Sequence, residues 1–211
     1  MERKKYKVLM LADHALSTSG VGTQSRHLIN GLLKKGGWSF RQFGAAIKHD
    51  NYDTIVVNED FIIKPVDGFG NPDMLRVTLA TEKPDVLLLF TDPRFFIWTW
   101  EMEDEIHQIC PIAYWHVWDN RPTPRFNDAL YESTDLINCH SHLTYEMVKE
   151  NFPEKKAKIV TSCAMFYDLE NPIEFVKNIE EILDKDGVWC CQISYLDSMI
   201  RFNNFYDICH E

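Results

Sequence analysis

Residues 6–37, YKVLMLADHALSTSGVGTQSRHLINGLLKKGG, contain the pattern that decides the fold. The apolar run 6–11 predicts a short strand, which ends in the polar stretch DHALSTSG. After Gly22, leucine and isoleucine recur at helical spacing, and Gly36-Gly37 closes the predicted helix. A strand that enters a helix through a glycine-bearing turn is typical of the first unit of an α/β sheet.

The same alternation continues toward the C-terminus. A helix is predicted over 100–110, and Ser141 can cap another helix. The segment 58–71 is predicted as a loop with at most a short strand, because it contains proline and glycine. Further strands are predicted at 39–46, 53–57, 85–90, 112–118 and 136–139. The predicted fold class is therefore α/β, with a doubly wound, Rossmann-like parallel sheet and helices on both of its faces.

Composition changes near residue 157. Residues 157–211 contain four Lys or Arg and ten Asp or Glu, together with four of the six cysteines. A strand over 158–164, a helix that opens at Asn171-Pro172 and ends at Gly187, and a strand over 188–195 are predicted there. We therefore expect a Rossmann domain over 1–156 and a strand–helix–strand appendage over 157–211.

Composition and charge exclude several functional classes. The 211 residues include 22 Lys or Arg and 32 Asp or Glu, a formal charge of −10, which disfavours a nucleic-acid partner. No apolar run reaches the roughly 18 residues of a membrane span. The six cysteines lack framework spacing, so reduced cysteines and a cytoplasmic location are expected. The opening apolar run carries Asp13 and His14, which indicates a strand and not a signal peptide.

The turn between the first strand and the first helix is the first candidate site. Gly20, Gly22 and Thr23 lie there, where glycine lets a ligand approach the backbone and a helix N-terminus offers N–H groups to phosphate. The sequence GVGTQS lacks the third glycine of the dinucleotide fingerprint, and the P-loop pattern is absent. The alternative is that these glycines only allow tight packing of the helix on the sheet.

The segment YWHVWDN, residues 114–120, is the second candidate. His116 and Asp119 follow an apolar strand, and ligands of open parallel sheets bind beyond the carboxyl ends of the strands. Neighbouring aromatic rings could stack on a sugar or a base. The alternative is a half-buried histidine among core aromatic residues, satisfied by a backbone carbonyl.

Other groups of reactive side chains favour structural roles. Cys139-His140-Ser141-His142 lacks a second ligand pair at zinc spacing, so a strand end followed by a helix cap is expected and no metal is predicted. Cys190 and Cys191 are expected in a strand, with side chains on opposite faces. The acidic runs 101–105 and 180–186 are typical of solvated helix faces.

The first ~155 residues resemble the N-terminal half of a GT-B-fold glycosyltransferase of the retaining, glycogen-synthase-like type. By that resemblance, Gly20 and Gly22 lie near the donor phosphate and the acceptor, and His116 lies against the transferred sugar. The second domain of that family, with its paired glutamates, has no counterpart in these 211 residues. The residues that carry the resemblance are KVLMLADHALSTSGVGTQSRHLINGLLKKG (7–36), KPDVLLLF (83–90), IAYWHVWDN (112–120) and STDLINCHSHLTYEMVKENF (133–152).

The last ~55 residues resemble an internal segment of a sugar C-methyltransferase that depends on S-adenosylmethionine. The stretches MFYDLENP (165–172) and NNFYDICHE (203–211) carry this resemblance, and His210 and Glu211 match the start of that family's catalytic motif. The glycine-rich cofactor loop of that family has no counterpart before Lys158, so bound S-adenosylmethionine is not expected.

Three functional hypotheses follow. The first is a glycosyltransferase-type domain that binds a nucleotide-sugar or an acceptor through Gly20, Gly22, Thr23 and Asp119, with His116 as the catalytic residue. Such a domain would need a second protein chain to complete its cleft. The second is a C-methyltransferase fragment, and the third is a non-catalytic interaction protein or remnant.

Overall fold

A seven-stranded sheet organises the first of two compact units, Met1–Pro153; the second unit is Glu154–Glu211. The computed structural model describes residues 4–48, 50–152, 157–163 and 171–192. The strands of the sheet are Tyr6–Asp13 (β1), Trp38–Ala45 (β2), Ile55–Asn58 (β3), Phe61–Pro65 (β4), Val86–Phe90 (β5), Ile112–His116 (β6) and Leu136–Cys139 (β7).

Helices connect these strands across the two faces of the sheet. The 3-10 turns are Pro93–Phe96 and Arg125–Asn127. The helices are Gly20–Lys35 (α1), Pro72–Glu82 (α2), Ile97–Trp100 (α3), Glu103–His107 (α4), Asp128–Ser133 (α5) and His142–Asn151 (α6).

The strand order places the start of the chain at the centre of the sheet. The order is β3-β4-β2-β1-β5-β6-β7, with every neighbouring pair parallel except the antiparallel edge pair β3 and β4. The chain runs from β1 outward in one direction and then crosses back to β5 on the other side of β1. The carboxyl ends of β1 and β5 therefore form the topological switch point, the usual ligand site of open parallel sheets.

Two apolar clusters cover opposite faces of the sheet because successive side chains of a strand point to opposite sides. On one face, Val8 and Met10 of β1 belong to the same buried cluster as Ile29 of α1. On the other face, Leu9 and Leu11 share a cluster with residues of α2, α4 and α5. This arrangement confirms the predicted doubly wound α/β class with helices on both faces.

Helix α2 is one of two helices of this unit that the sequence prediction missed, the other being α5. Asn71 caps α2 by accepting a hydrogen bond from the Met74 N–H (3.0 Å), and Pro72 follows at the first helical position. Leu75 and Leu79 bury its apolar stripe. The predicted helix 100–110 is instead two short helices, α3 and α4.

The second unit contains strand Ala157–Cys163 (β8), helix Pro172–Ile182 (α7) and strand Leu183–Gln192 (β9), and β8 and β9 are parallel. The predicted strand–helix–strand order is therefore confirmed. The predicted end of α7 at Gly187 is wrong, because the chain enters β9 at Leu183. Gly187 lies where the register with β8 shifts, a position that glycine tolerates well.

Several predictions fall outside the described residues. These are Ala164 and residues 193–195 of the expected strands, and most of the two stretches that carry the methyltransferase resemblance, His210 and Glu211 included. The side chains of Cys190 and Cys191 are not described either.

Candidate functional site

The turn between β1 and α1 is organised by hydrogen bonds between neighbouring side chains. The Ser19 hydroxyl donates to Asp13 Oδ2 (2.7 Å) and accepts a hydrogen bond from the Gly22 N–H (2.9 Å), so Ser19 is the N-cap of α1. Ser17 Oγ lies 3.1 Å from Ser19 Oγ. The turn is therefore a defined structure at the switch point, with the Asp13 carboxylate as its anchor.

Gly22 has no room for a side chain. A β-carbon at this position would lie 2.3 Å from Ser17 Oγ and 2.6 Å from the His14 carbonyl oxygen. Gly20 differs, because it is exposed and a β-carbon there would meet no atom within 4 Å. Gly22 thus allows α1 to pack closely against the turn that follows β1, while Gly20 leaves open space at the N-terminus of α1.

Thr23 completes the first turn of α1. Its N–H donates to the Ser19 carbonyl (2.9 Å), and its side chain is half-buried. The Gly22 N–H is taken by Ser19 Oγ. Among the described residues, none accepts a hydrogen bond from the N–H groups of Gly20 and Val21.

His14 is a buried polar residue of the switch point that sequence reasoning did not select. Its Nδ1 accepts a hydrogen bond from the Leu16 N–H (3.2 Å). A β-carbon on Gly44 of the adjacent strand β2 would lie 2.7 Å from His14 Cδ2, so this glycine makes space for the imidazole. The glycine inside a strand is the sequence signal that could have pointed to His14.

His116 ends β6 and is fully buried, with 0% of its surface exposed. Its Nε2 lies 3.0 Å from the hydroxyl oxygen of Tyr131 in α5, whereas its Nδ1 has no hydrogen-bond partner among the described residues. Burial lowers the pKa of His116 to about 4, and the nearby Asp92 carboxylate opposes this shift. The imidazole is therefore neutral at pH 7.

Asp119 lies three residues beyond His116 and is exposed. The predicted site residues thus fall into two groups at the carboxyl edge of the sheet. Gly20, Gly22 and Thr23 share the turn after β1, and His116 and Asp119 belong to the exit of β6. Strand β5 lies between the two groups.

The exit of β5 supplies a polar cluster between these groups. Arg94 donates from Nε to Asp92 Oδ1 (2.9 Å) and from Nη2 to Asp92 Oδ2 (2.6 Å). Its guanidinium lies over the Trp118 ring, 5.7 Å from the ring centroid. Burial raises the pKa of Asp92, but the hydrogen bonds from Arg94 outweigh burial, so the net shift is downward. Sequence reasoning missed Asp92 and Arg94, because nothing in the segment TDPRFF marks them as a pair.

The exit of β7 fixes the backbone after His116. Ser141 caps α6 by accepting from the Thr144 N–H (3.2 Å), and Thr144 Oγ1 donates to the Trp118 carbonyl (2.9 Å). The His140 N–H donates to the His116 carbonyl (2.9 Å). The expected strand end and helix cap are therefore present at Cys139–His142.

Cys139 is half-buried, and burial raises the pKa of its thiol to about 12. Within the described part of the chain, no group of three or more His, Cys, Asp or Glu side chains is arranged to hold a metal ion. In the same part of the chain, none of the helices combines the length and the apolar character needed to cross a membrane.

Comparisons with known proteins return no matching family model and no matching curated protein.

Proposed function

We propose that the first unit binds a nucleotide-linked sugar or its acceptor at the carboxyl edge of the sheet, as one half of a glycosyltransferase-type site. The observation that carries this proposal is the turn between β1 and α1 at the topological switch point. Sugar transfer then requires a second chain or domain that faces this edge and completes the cleft.

The N-terminus of α1 supports binding of a phosphate-bearing ligand. The N–H groups of Gly20 and Val21 remain available, and a helix N-terminus favours anions through its partial positive charge. The exposed Gly20 leaves the approach to these groups unobstructed. Gly22 and Ser19 hold the turn in shape, so a diphosphate would meet donors that are already oriented.

The exit of β6 supports a sugar subsite with His116 at its base. A neutral imidazole can exchange hydrogen bonds with a hydroxyl group, and His116 Nδ1 is the ring nitrogen without a described partner. Because the ring is closed to solvent, contact with a sugar requires displacement of the chain that follows β6. Stabilisation of the leaving phosphate is the main catalytic demand of such a transfer, and we assign it to the N-terminus of α1 and to the chain or domain that faces this edge.

Thermal unfolding with UDP- and GDP-sugars, the free nucleotides and S-adenosylmethionine tests the proposal. A ligand at 100 times its dissociation constant adds about 2.7 kcal/mol to the free energy of unfolding, so binding raises the Tm. We expect a rise with at least one nucleotide-sugar and none with S-adenosylmethionine.

Two glycine variants locate the binding. Gly20→Val places a side chain in front of α1 and should remove the nucleotide-sugar effect while leaving the Tm of the free protein nearly unchanged. Gly31→Val is the matched control, because Gly31 is also exposed, with no atom within 4 Å of a β-carbon. Equal responses in the two variants, or no response to any nucleotide-sugar in the unmodified chain, would contradict the proposal.

A further inference from the structure

Arg94 is held in place on one side and open on the other. A guanidinium has five N–H donors, and Arg94 uses its Nε and Nη2 edge for Asp92. The remaining edge, formed by Nη1 and the second N–H of Nη2, has no acceptor among the described residues. The side chain is 61% exposed, so this edge is accessible to a ligand.

Two other paired arginines of the same unit, Arg76 and Arg41, use both edges. Arg76 donates from Nε and Nη2 to Glu105 (2.7 and 2.8 Å) and from Nη1 to Asp73 (3.2 Å). Arg41 donates from Nε to Glu82 (3.1 Å) and from Nη1 to the Phe40 carbonyl (3.0 Å). Arg94 therefore differs from both in keeping a two-donor edge without an acceptor.

The platform beneath Arg94 is also fixed. The Trp118 carbonyl accepts from the buried Thr144 hydroxyl, and the indole Nε1–H donates to the Asn120 carbonyl (2.8 Å). The Trp118 and Phe126 rings form a T-shaped pair, with ring centroids 5.7 Å apart and planes at 90°. The two hydrogen bonds to Asp92 orient the guanidinium beside this ring, which lowers the entropy lost when it binds a ligand.

We infer that Arg94 recognises an oxyanion on the ligand, a carboxylate or a phosphate on the sugar, through its open Nη1 and Nη2 edge. A planar fork of two N–H donors matches two oxygens of one oxyanion and gives it selectivity over a neutral hydroxyl. This inference rests on the proposed sugar site, because it assigns the substrate class of that site. The chain carries a formal charge of −10, so it is not expected to attract anions in general. Binding of an anionic sugar would therefore point to a specific cation such as Arg94.

Asp92 does not abolish this attraction. Its carboxylate lies on the opposite edge of the guanidinium and already accepts three hydrogen bonds from Arg94, one of them from the backbone N–H (2.9 Å). An incoming oxyanion would therefore meet N–H donors first, with the Asp92 charge behind them. Asp92 fixes the orientation of the two N–H donors. Its negative charge also lowers the free energy gained when an oxyanion binds, so binding stays reversible.

Titration of the full chain with glucuronate, glucose 6-phosphate and glucose tests the inference at matched ionic strength. The indole N–H resonance of Trp118, assigned with Trp118→Phe, reports on the site. We expect at least one of the two anionic sugars to bind at least tenfold more tightly than glucose. Tighter binding of glucuronate would identify a carboxylate as the group recognised, and tighter binding of glucose 6-phosphate would identify a phosphate.

Three variants make the result specific. Arg94→Gln should remove the preference for anionic sugars, and Arg94→Lys should remove most of it, because an ammonium keeps the charge but not the fork. Arg76→Gln is the matched control, since Arg76 is also paired and partly exposed (47%), and it should keep the preference. Equal binding of glucose and the anionic sugars, no binding of any of the three, or an unchanged preference in Arg94→Gln would overturn the inference.

The outcome is separable from that of the proposed function. Stabilisation by nucleotide-sugars without a preference for anionic sugars would overturn only the role of Arg94. A preference lost in Arg94→Gln, with no response to nucleotide-sugars, would support oxyanion recognition and contradict the proposed donor site.

Discussion

His116 Nε2 and the hydroxyl oxygen of Tyr131 lie 3.0 Å apart, and both side chains are completely buried. Burial lowers the pKa of His116 to about 4 and raises the pKa of Tyr131 to about 12. Both groups are therefore neutral at pH 7, and the pair links the end of β6 to α5. A proton added to this imidazole would place a charge in an apolar environment, so protonation of His116 should destabilise the folded chain.

The stability of the protein should decrease as the pH falls below about 6.5. The pKa of His116 is about 4 in the folded chain and about 6.5 in the unfolded chain, so the unfolded chain takes up the proton first. Between these two values the free energy of unfolding should fall by about 3 kcal/mol from this group. Urea unfolding of the unmodified chain and His116→Gln at pH 8 and pH 4.5 measures the effect. Since glutamine takes up no proton, the cost of the substitution should be smaller at pH 4.5; an equal cost at both pH values would contradict the prediction.

Tyr131→Phe should destabilise the first unit by about 1–3 kcal/mol at pH 7, because it removes the hydrogen-bond partner of His116 Nε2 inside the core. Tyr52→Phe is the control. The Tyr52 hydroxyl donates to Asp67 at an exposed position, so its loss should change the free energy of unfolding by less than about 0.5 kcal/mol. Chemical unfolding at pH 7 compares the two variants. A similar loss of unfolding free energy in both would show that the buried hydrogen bond stabilises the protein no more than the exposed one.

The order of strands and helices in the first unit was largely predictable because its buried strands and its amphipathic helices have different apolar patterns. A buried parallel strand such as β5 is apolar along its whole length, and amphipathic α1 shows helical spacing. Helix α2 was missed although Asn71 and Pro72 mark its start, because its apolar stripe is short. In the second unit, pairing of Leu183 with Ala157 ends α7 before Gly187, and no local pattern encodes that pairing.

The candidate site was predictable in position and only partly in composition. Gly22 lies in the first turn of α1, just after β1, and His116 ends β6, so both are placed at the carboxyl edge by the rule for ligand sites of parallel sheets. The hydrogen-bond partner of the buried His116 ring is Tyr131, which is 15 residues away in the chain, so no local pattern reveals it. The pair of Asp92 and Arg94 was missed because only its contact with the Trp118 ring marks it as part of a site. Trp118 follows β6, which pairs with β5, so this contact is not visible in the local sequence.

Gly22→Ala should be strongly destabilising, whereas Gly31→Ala should stabilise the protein. The methyl group at position 22 would lie 2.6 Å from the His14 carbonyl, a backbone atom that moves only if the turn changes shape. We expect a cost of about 1–3 kcal/mol or more, as for other overpacked sites. Gly31 lies exposed inside α1 with open space around it, so alanine should add about 0.5–1 kcal/mol. Urea unfolding of the two variants gives the difference in sign, and destabilisation by both would contradict the assignment of open space at Gly31.

Thr144→Val should weaken the attachment of the β6 exit to α6. The substitution nearly preserves shape but removes the hydroxyl that donates to the Trp118 carbonyl (2.9 Å), so the free energy of unfolding should fall by about 1 kcal/mol. Thr78→Val is the matched control, because the Thr78 hydroxyl donates to the Met74 carbonyl (2.8 Å) within α2, where the helical backbone already engages that carbonyl. The Trp118 indole resonance should broaden or shift in Thr144→Val and remain unchanged in Thr78→Val. An unchanged resonance in Thr144→Val would show that the Asn120 hydrogen bond and the ring contacts with Arg94 and Phe126 hold Trp118 without the Thr144 hydroxyl.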